Sequence, residues 1–324
     1  MMRYEYLDPA ISRDSLHPDS IYHEELALAH AFVETLKSDD RLDVCPVSSE
    51  PRYEVFFEKW GQCYAFCPKT WSVAIGYMPA TDILHTYFHD SDLARLRATA
   101  DYQTLLSQTR QPLWEHQVEW IEGRIQRYLG SHPVDLLDWG VKATGWSVLL
   151  QQAQSLRSYT LVEPLPPVSA SPDNSDADVV CLFDVIQRSP NPARLLTEVA
   201  QRLRPGGLLL ATCRSGAGFD VLTLGGASAS IFPLDHLCLP SPAGMKRLIH
   251  GAGLELLELT TPGMLDVQLV RAVGRELPRN RYFQRYLIDQ GDPEVHERFQ
   301  IFLQQNNLSS HLRLVARKPQ GDRS

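Results

Sequence analysis

The stretch that most constrains the fold runs from Asp178 to Cys213. It opens with an apolar run, Val179 to Phe183, short enough for a strand buried on both faces. A loop with Pro190 and Pro192 follows. Leu195, Leu196, Val199 and Leu203 then recur at helical spacing, so one face of a helix is buried. Pro205 is expected to stop that helix, and Gly206-Gly207 to turn the chain into a second buried strand, Leu208 to Thr212. Strand, helix and strand in this order make a βαβ unit, whose two strands lie parallel and adjacent. The chain is therefore expected to be α/β.

Composition narrows the partners. A net charge of −8 and a pI near 5.8 argue against nucleic acid and against an anionic membrane, since both require a basic face. No run approaches the ~20 apolar residues of a membrane-spanning helix. The N-terminal Met1-Met-Arg-Tyr-Glu-Tyr-Leu-Asp lacks an apolar signal core, so a cytoplasmic location is expected. The six cysteines are spread along 324 residues and read as reduced thiols. A 44% hydrophobic content supports a core of ordinary size, and the length suggests about two domains.

The chain divides as follows. Residues 1–43 form an arm with one amphipathic helix, capped by Asp19 or Ser20 and striped by Leu26, Ala29, Phe32, Val33 and Leu36. Residues 44–78 hold two short strands between Cys45-Pro-Val-Ser48 and Cys67-Pro-Lys-Thr70. A zinc ribbon closes its metal with two Cys-x-x-Cys knuckles. Here Ser48 and Thr70 stand at the second ligand positions, so a metal-free hairpin held by its aromatics is expected. Residues 79–130 read as helical, with Trp114, Val118, Trp120, Ile121, Ile125 and Tyr128 on one face. Residues 131–318 form the α/β domain, with a helical insertion at 266–305, and 319–324 is a polar tail.

Ligand chemistry gathers in three places. Val134-Asp-Leu-Leu-Asp138 reads as the first strand of this domain, followed by the turn Trp139-Gly140-Val-Lys142-Ala-Thr144-Gly145-Trp146. Tyr159 to Glu163 reads as the second strand, ending in a carboxylate where a ribose could be held. Glu163 lies 25 residues beyond Asp138, near the ~20 expected between a glycine turn and this acid. A strand-to-helix turn that binds nothing is the plain alternative. A proline- and serine-rich spacer without helical periodicity follows, Pro164 to Asp178. After the strand at 208–212 comes Asp235-His236. An imidazole can take a proton near pH 7, so His236 is the acid–base candidate; a hydrogen-bonded loop histidine is the alternative.

The Asp138 turn, the acid at Glu163, the position of Asp184 and the Pro205-Gly206-Gly207 strand together resemble the class I S-adenosylmethionine (SAM)-dependent methyltransferases. Further segments resemble a subgroup with an N-terminal zinc-ribbon-like module: Gly218-Phe-Asp-Val-Leu-Thr-Leu224, Ile231-Phe-Pro-Leu-Asp-His236, Thr261-Pro-Gly-Met-Leu-Asp266, Phe299-Gln-Ile-Phe-Leu303 and Leu308-Ser-Ser-His-Leu-Arg-Leu-Val-Ala316. The chain departs from the pattern at Lys142 and Thr144, at Gln187-Arg188, and at the two knuckles. The resemblance implies a Rossmann-like, doubly wound sheet with the last strand, His311 to Arg317, inserted antiparallel. Where the family has a helix and third strand this chain has the spacer from Pro164 to Asp178, so the third strand is expected to be missing. The resemblance also implies SAM as cofactor, held by Asp138, Gly140, Gly145, Glu163 and Asp184; because Ser48 and Thr70 replace thiolates in the knuckles, no zinc is expected. It implies His236, beside Asp235, as catalytic base and a small-molecule acceptor, a sugar or sugar nucleotide. A second hypothesis is a non-catalytic descendant that acts as a binding or scaffolding partner, as a homodimer or a heterodimer with an active relative. A dehydrogenase is the weakest reading, because no Gly-x-Gly-x-x-Gly is present.

Overall fold

The computed structural model describes residues 19–36, 44–50, 54–140, 145–162, 176–273, 277 and 280–320. Helix α1 (Asp19–Glu34) precedes strands β1 (Glu54–Lys59), β2 (Gln62–Phe66) and β3 (Val73–Ile75). Helix α2 (Thr81–His85) runs into a π-helical turn, Thr86–Asp90, and is followed by α3 (Asp92–Ala98) and the long α4 (Ala100–Leu129). Then come β4 (Val134–Trp139), α5 (Gly145–Gln151), β5 (Leu156–Val162), β6 (Ala177–Phe183), α6 (Pro192–Arg202), β7 (Leu203–Arg214) and α7 (Phe219–Leu224). The chain closes with β8 (Cys238–Leu239), α8 (Pro242–Gly251), β9 (Glu255–Thr260), α9 (Asp266–Val273), α10 (Tyr282–Gln290), α11 (Pro293–Gln305) and β10 (His311–Arg317).

The large sheet has the order β5-β4-β6-β7-β10-β9. Strands β5, β4, β6 and β7 are parallel, and β10 inserts antiparallel between β7 and β9. This is the Rossmann-like, doubly wound arrangement expected, and among the described residues β5 forms one edge. Alternation along the strands feeds two cores. Val180, Leu182, Leu209 and Ala211 pack with Leu195, Leu196 and Val199 of α6 and Met245, Leu248 and Ile249 of α8. Val179, Cys181, Leu208 and Leu210 face Trp120, Ile121 and Ile125 of α4 and Trp146 and Leu150 of α5. Burying each of these large apolar side chains stabilises the fold by about 1.5–3 kcal/mol.

Helix α6 starts where Asn191 accepts a hydrogen bond from the Arg194 N–H at 3.0 Å, with Pro192 pre-set in the first turn. It ends at Arg202, before the expected stop at Pro205. A residue preceding proline is disfavoured in helical geometry, and Leu203 already pairs with Ala177 as strand. The register shift that follows absorbs the Pro-Gly-Gly segment. Gly206 sits at φ +83°, a conformation that favours glycine. Ser241 caps α8, accepting from the Gly244 N–H at 2.9 Å, with Pro242 in the first turn.

The N-terminal strands form a second sheet, β1-β2-β3-β8, antiparallel throughout. Its fourth strand comes from beyond β7, with Val73 opposite Leu239. Both β3 and β8 lie outside the expected hairpin. Three apolar residues and a two-residue strand are too short to give a pattern of their own. Glu163, Lys142 and Thr144 fall outside the described residues. No helix among the described residues is long and apolar enough to cross a membrane.

Candidate functional site

Strands β5, β4, β6, β7 and β9 all end on one edge of the large sheet, and β10 begins there. Ligands of open α/β sheets bind at this edge, where the strand order reverses. The reversal falls at β4, flanked by β5 on one side and β6 on the other.

At the end of β4 the Asp138 side chain is buried, 1% exposed. Tyr159 on β5 donates its hydroxyl proton to Asp138 Oδ2 at 2.6 Å. Oδ1 is also buried and has no hydrogen-bond partner among the described residues; the same holds for Trp139 Nε1. Burial pushes the Asp138 carboxyl up to about 7, opposed by the Tyr159 hydrogen bond. Gly140 donates its N–H to Val162 O at 3.1 Å. A Cβ on Gly140 would lie 2.9 Å from Asp138 Oδ1, so the surface over that oxygen is kept clear by glycine. Gly145 opens α5; between it and Gly140 the loop is outside the described residues.

A second cluster surrounds the ends of β6 and β7. Asp184 is exposed and sits at φ +56°, uncommon for a residue with a side chain. Its N–H donates to Thr212 O at 3.0 Å. Gln187 bridges the strand ends, with its Nε2 3.3 Å from Asp184 Oδ1 and its Oε1 accepting from the Arg214 N–H at 2.8 Å. Arg214 is ion-paired with the buried Asp220, which also accepts from Ser230 Oγ at 3.1 Å. His311 opens β10 opposite Arg214. Burial holds its imidazole below the ordinary range, while Asp184 pulls the other way. Lys59, at the end of β1, donates to the carbonyls of Gly226 and Ser228. Burial, then the nearby Arg214, lowers its ammonium to about 8.

Asp235 and His236 do not form a dyad. The buried Asp235 carboxylate receives Arg97 Nη2 at 3.0 Å, Arg188 Nη2 at 3.2 Å and the Tyr87 hydroxyl at 2.8 Å. Burial opposes its charge, but the two guanidinium groups override it and hold the carboxyl well below the usual range. Arg97 also binds Glu25 of α1 at 2.8 Å, so the network ties the N-terminal arm to this loop. His236 is half-buried, and its Nδ1 lies 3.0 Å from the Phe232 N–H. When that N–H donates, the neutral ring carries its proton on Nε2 and keeps no free lone pair. Burial, with Arg214 second, lowers the imidazole to about 3.

The knuckle residues converge as a pair of matching turns. Ser49 N–H donates to Cys45 O and Trp71 N–H to Cys67 O, both at 2.8 Å, with positive φ at Ser49 and Trp71. Ser48 Oγ lies 3.3 Å from Cys67 Sγ. Burial pushes the Cys67 thiol up, but hydrogen bonds from Ser48, Thr70 and the Lys69 backbone outweigh it and lower it. No group of three or more His, Cys, Asp or Glu suited to a metal ion occurs among the described residues.

Sequence reasoning missed Arg97, Tyr87, Tyr159 and Lys59. The first two sit on helices far from the site in sequence, and no local pattern marks them. Tyr159 is placed by strand pairing: β5 lies parallel to β4 with Leu136 opposite Tyr159, which brings its hydroxyl to the last carboxylate of β4.

Residues 113–259, a little under half the chain, match a family model described as a methyltransferase domain. No curated protein matches the chain. Coclaurine N-methyltransferase, solved with N-methylheliamine and SAH, is 10% identical over 93% of this chain and 90% of its own, with a TM-score of 0.43. A protein from Galdieria sulphuraria assigned as a sarcosine dimethylglycine methyltransferase is 16% identical over 63% of this chain and 85% of its own, with a TM-score of 0.41. At these identities the likeness concerns the fold alone. Residues 113–259 are methyltransferase-like, and they contribute strands to a Rossmann-like α/β sheet.

Proposed function

We propose that the protein is a SAM-dependent methyltransferase acting on a small-molecule acceptor, with a sugar or sugar nucleotide as the expected class. The observation that carries this reading is Asp138 Oδ1: buried, without a partner among the described residues, and overlaid by a glycine at the switch point of the sheet. An unpaired buried carboxylate oxygen is costly, and a ligand donor would remove that cost. An unpaired buried acceptor oxygen suits the ammonium and hydroxyl donors of an amino-acid and nucleoside ligand, so the residues present fit the cofactor. SAM, when bound, would supply an electrophilic sulfonium methyl.

Asp138 and Gly140, with Gly145 and Glu163, would hold that ligand. Asp184, Arg214 and His311 line the neighbouring strand ends and would orient the acceptor. Direct displacement depends chiefly on alignment, which rigid strand ends provide. His236 Nδ1 lies against both the N–H and the carbonyl of Phe232, and the ring offers Nε2 as a base in the tautomer that donates from Nδ1 to that carbonyl. The paired turns at Cys45 and Cys67 support placing the chain in the subgroup with an N-terminal zinc-ribbon-like module, in degenerate form.

Calorimetric titration with S-adenosylhomocysteine tests the reading. Micromolar binding, lost in Gly140→Val, is the expected result. A folded protein that binds nothing at millimolar ligand defeats it. A second reading, a fold kept without catalysis as the partner of an active relative, is favoured by the engagement of Asp235 and His236 in contacts within the chain. It predicts cofactor binding weak or absent and activity only in the relative's complex; methyl transfer by the isolated chain excludes it.

A further inference from the structure

The insertion between β9 and β10 carries the three most exposed large apolar side chains among the described residues. Tyr282, Phe283 and Tyr286 of α10 are 78%, 62% and 72% exposed. They continue onto α11. The Phe283 ring lies 6.3 Å from Phe299, which stacks on the exposed Phe302 at 6.0 Å. Val295, one turn before Phe299, is exposed as well. An aromatic ridge of this kind marks an interaction surface, and tyrosine is favoured where such surfaces carry binding energy.

The charges beside the ridge identify what covers it. Arg285 and Asp289 are four residues apart and flank the Tyr282–Tyr286 stripe on one side. Neither forms an ion pair among the described residues, whereas Glu294 and Arg298, at the same spacing on the neighbouring α11, pair with each other. When two identical helices pack antiparallel about a twofold axis, like flanks face each other with their directions reversed. Arg285 of one copy then meets Asp289 of the other, and the contact occurs twice. The helix dipoles also oppose each other.

We propose that this face is a self-complementary dimer interface, with α10 of one copy antiparallel to α10 of a second and Tyr286 near the twofold axis. The proposal goes beyond the methyl-transfer reading and does not depend on it. It places the dimer contact one ring from the site edge, because Phe299 also packs on Phe219, at the start of α7, at 5.1 Å.

Sedimentation equilibrium on the full chain tests it. The wild type should be dimeric at micromolar concentration. Arg285→Asp and Asp289→Arg should each weaken dimerisation by about tenfold or more, since each places like charges at both contacts. An equimolar mixture of the two variants should dimerise again, because both contacts then join opposite charges. The double variant should do the same. Both positions lie on the outer part of α10, and circular dichroism checks that the variants fold. A monomeric wild type overturns the proposal, as does dimerisation of the single variants at wild-type strength or a mixture that stays monomeric. Flotation of a monomeric wild type with phosphatidylcholine vesicles would assign the ridge to a lipid surface and likewise overturn it.

Discussion

Two aspartates in this molecule are almost equally buried and entirely different. Asp235, in the loop after α7, is 3% exposed and is held by Arg97, Arg188 and Tyr87. Asp138, at the end of β4, is 1% exposed and has one hydrogen bond, from Tyr159, with Oδ1 unpaired among the described residues. Their carboxyls shift in opposite directions, Asp235 down and Asp138 up to about 7. A satisfied buried carboxylate is a structural tie between elements. One left half-satisfied at a strand end carries a cost that a ligand donor would remove, which is the role proposed for Asp138. The sequence motif pointed at both with equal force, and only partners separate them.

The largest effect should come from breaking the satisfied member. Arg97→Ala removes the two-nitrogen contact to Asp235 and the link to Glu25, leaving a buried charge with fewer partners. A loss of about 3–5 kcal/mol in urea unfolding at pH 7 is expected. Asp235 has a depressed folded value, so its contribution is present above the ordinary carboxylate range. It is lost as pH falls through that depressed value. The variant should therefore show a shallower acid dependence than the wild type. A loss under about 1 kcal/mol, the scale of an exposed pair, would show that the network does not tie the arm to the site.

Asp138→Asn acts the other way. Its folded value is raised from 3.8 to about 7, so between these limits the folded state binds more protons than the unfolded one. Stability should fall as pH rises across that window, by at most about 1.4 kcal/mol per unit, and level off above it. Asparagine cannot ionise. The variant should match the wild type near the acid end, exceed it at pH 8, and lack the slope between. A wild-type slope retained in the variant would assign it to another group. Gly140→Ala is the next smaller change: its Cβ would come 2.9 Å from Asp138 Oδ1, and overpacking of this kind costs about 1–3 kcal/mol. Unchanged melting of that variant would mean that the carboxylate moves freely and that the turn is not a fitted surface.

Much of the scaffold could be read from residue pattern because it rests on local signals. The βαβ unit at 178–213 follows from apolar period and proline placement, and the strand at His311–Arg317 from the family resemblance. The small sheet could not be read to its end, since β8 is two residues supplied from far along the chain. The site was legible only in part. Asp138, Gly140, Asp184 and His236 could be named from their places relative to strands. Whether Asp235 serves His236 or an arginine pair depends on Arg97 and Arg188, 138 and 47 positions away in the chain, and no spacing rule connects them. Pairing across such distances is a property of packing, and it decides which carboxylate is free.

The smallest predicted effect tests that freedom most directly. Near pH 7 the raised Asp138 carboxyl is about half protonated. A ligand that brings a hydrogen-bond donor or a positive charge to Oδ1 favours the ionised form and pulls the value down. Binding of S-adenosylhomocysteine at pH 7 should therefore release up to about half a proton. Calorimetric titration in buffers of different ionisation enthalpy reads this as a slope of apparent enthalpy against buffer enthalpy. Asp138→Asn should abolish the slope even where it still binds. Asp235→Asn should leave it unchanged in any protein that remains folded, because that carboxylate is ionised before and after binding. A slope that survives in Asp138→Asn, or vanishes in Asp235→Asn, would reverse the roles assigned to the two buried acids.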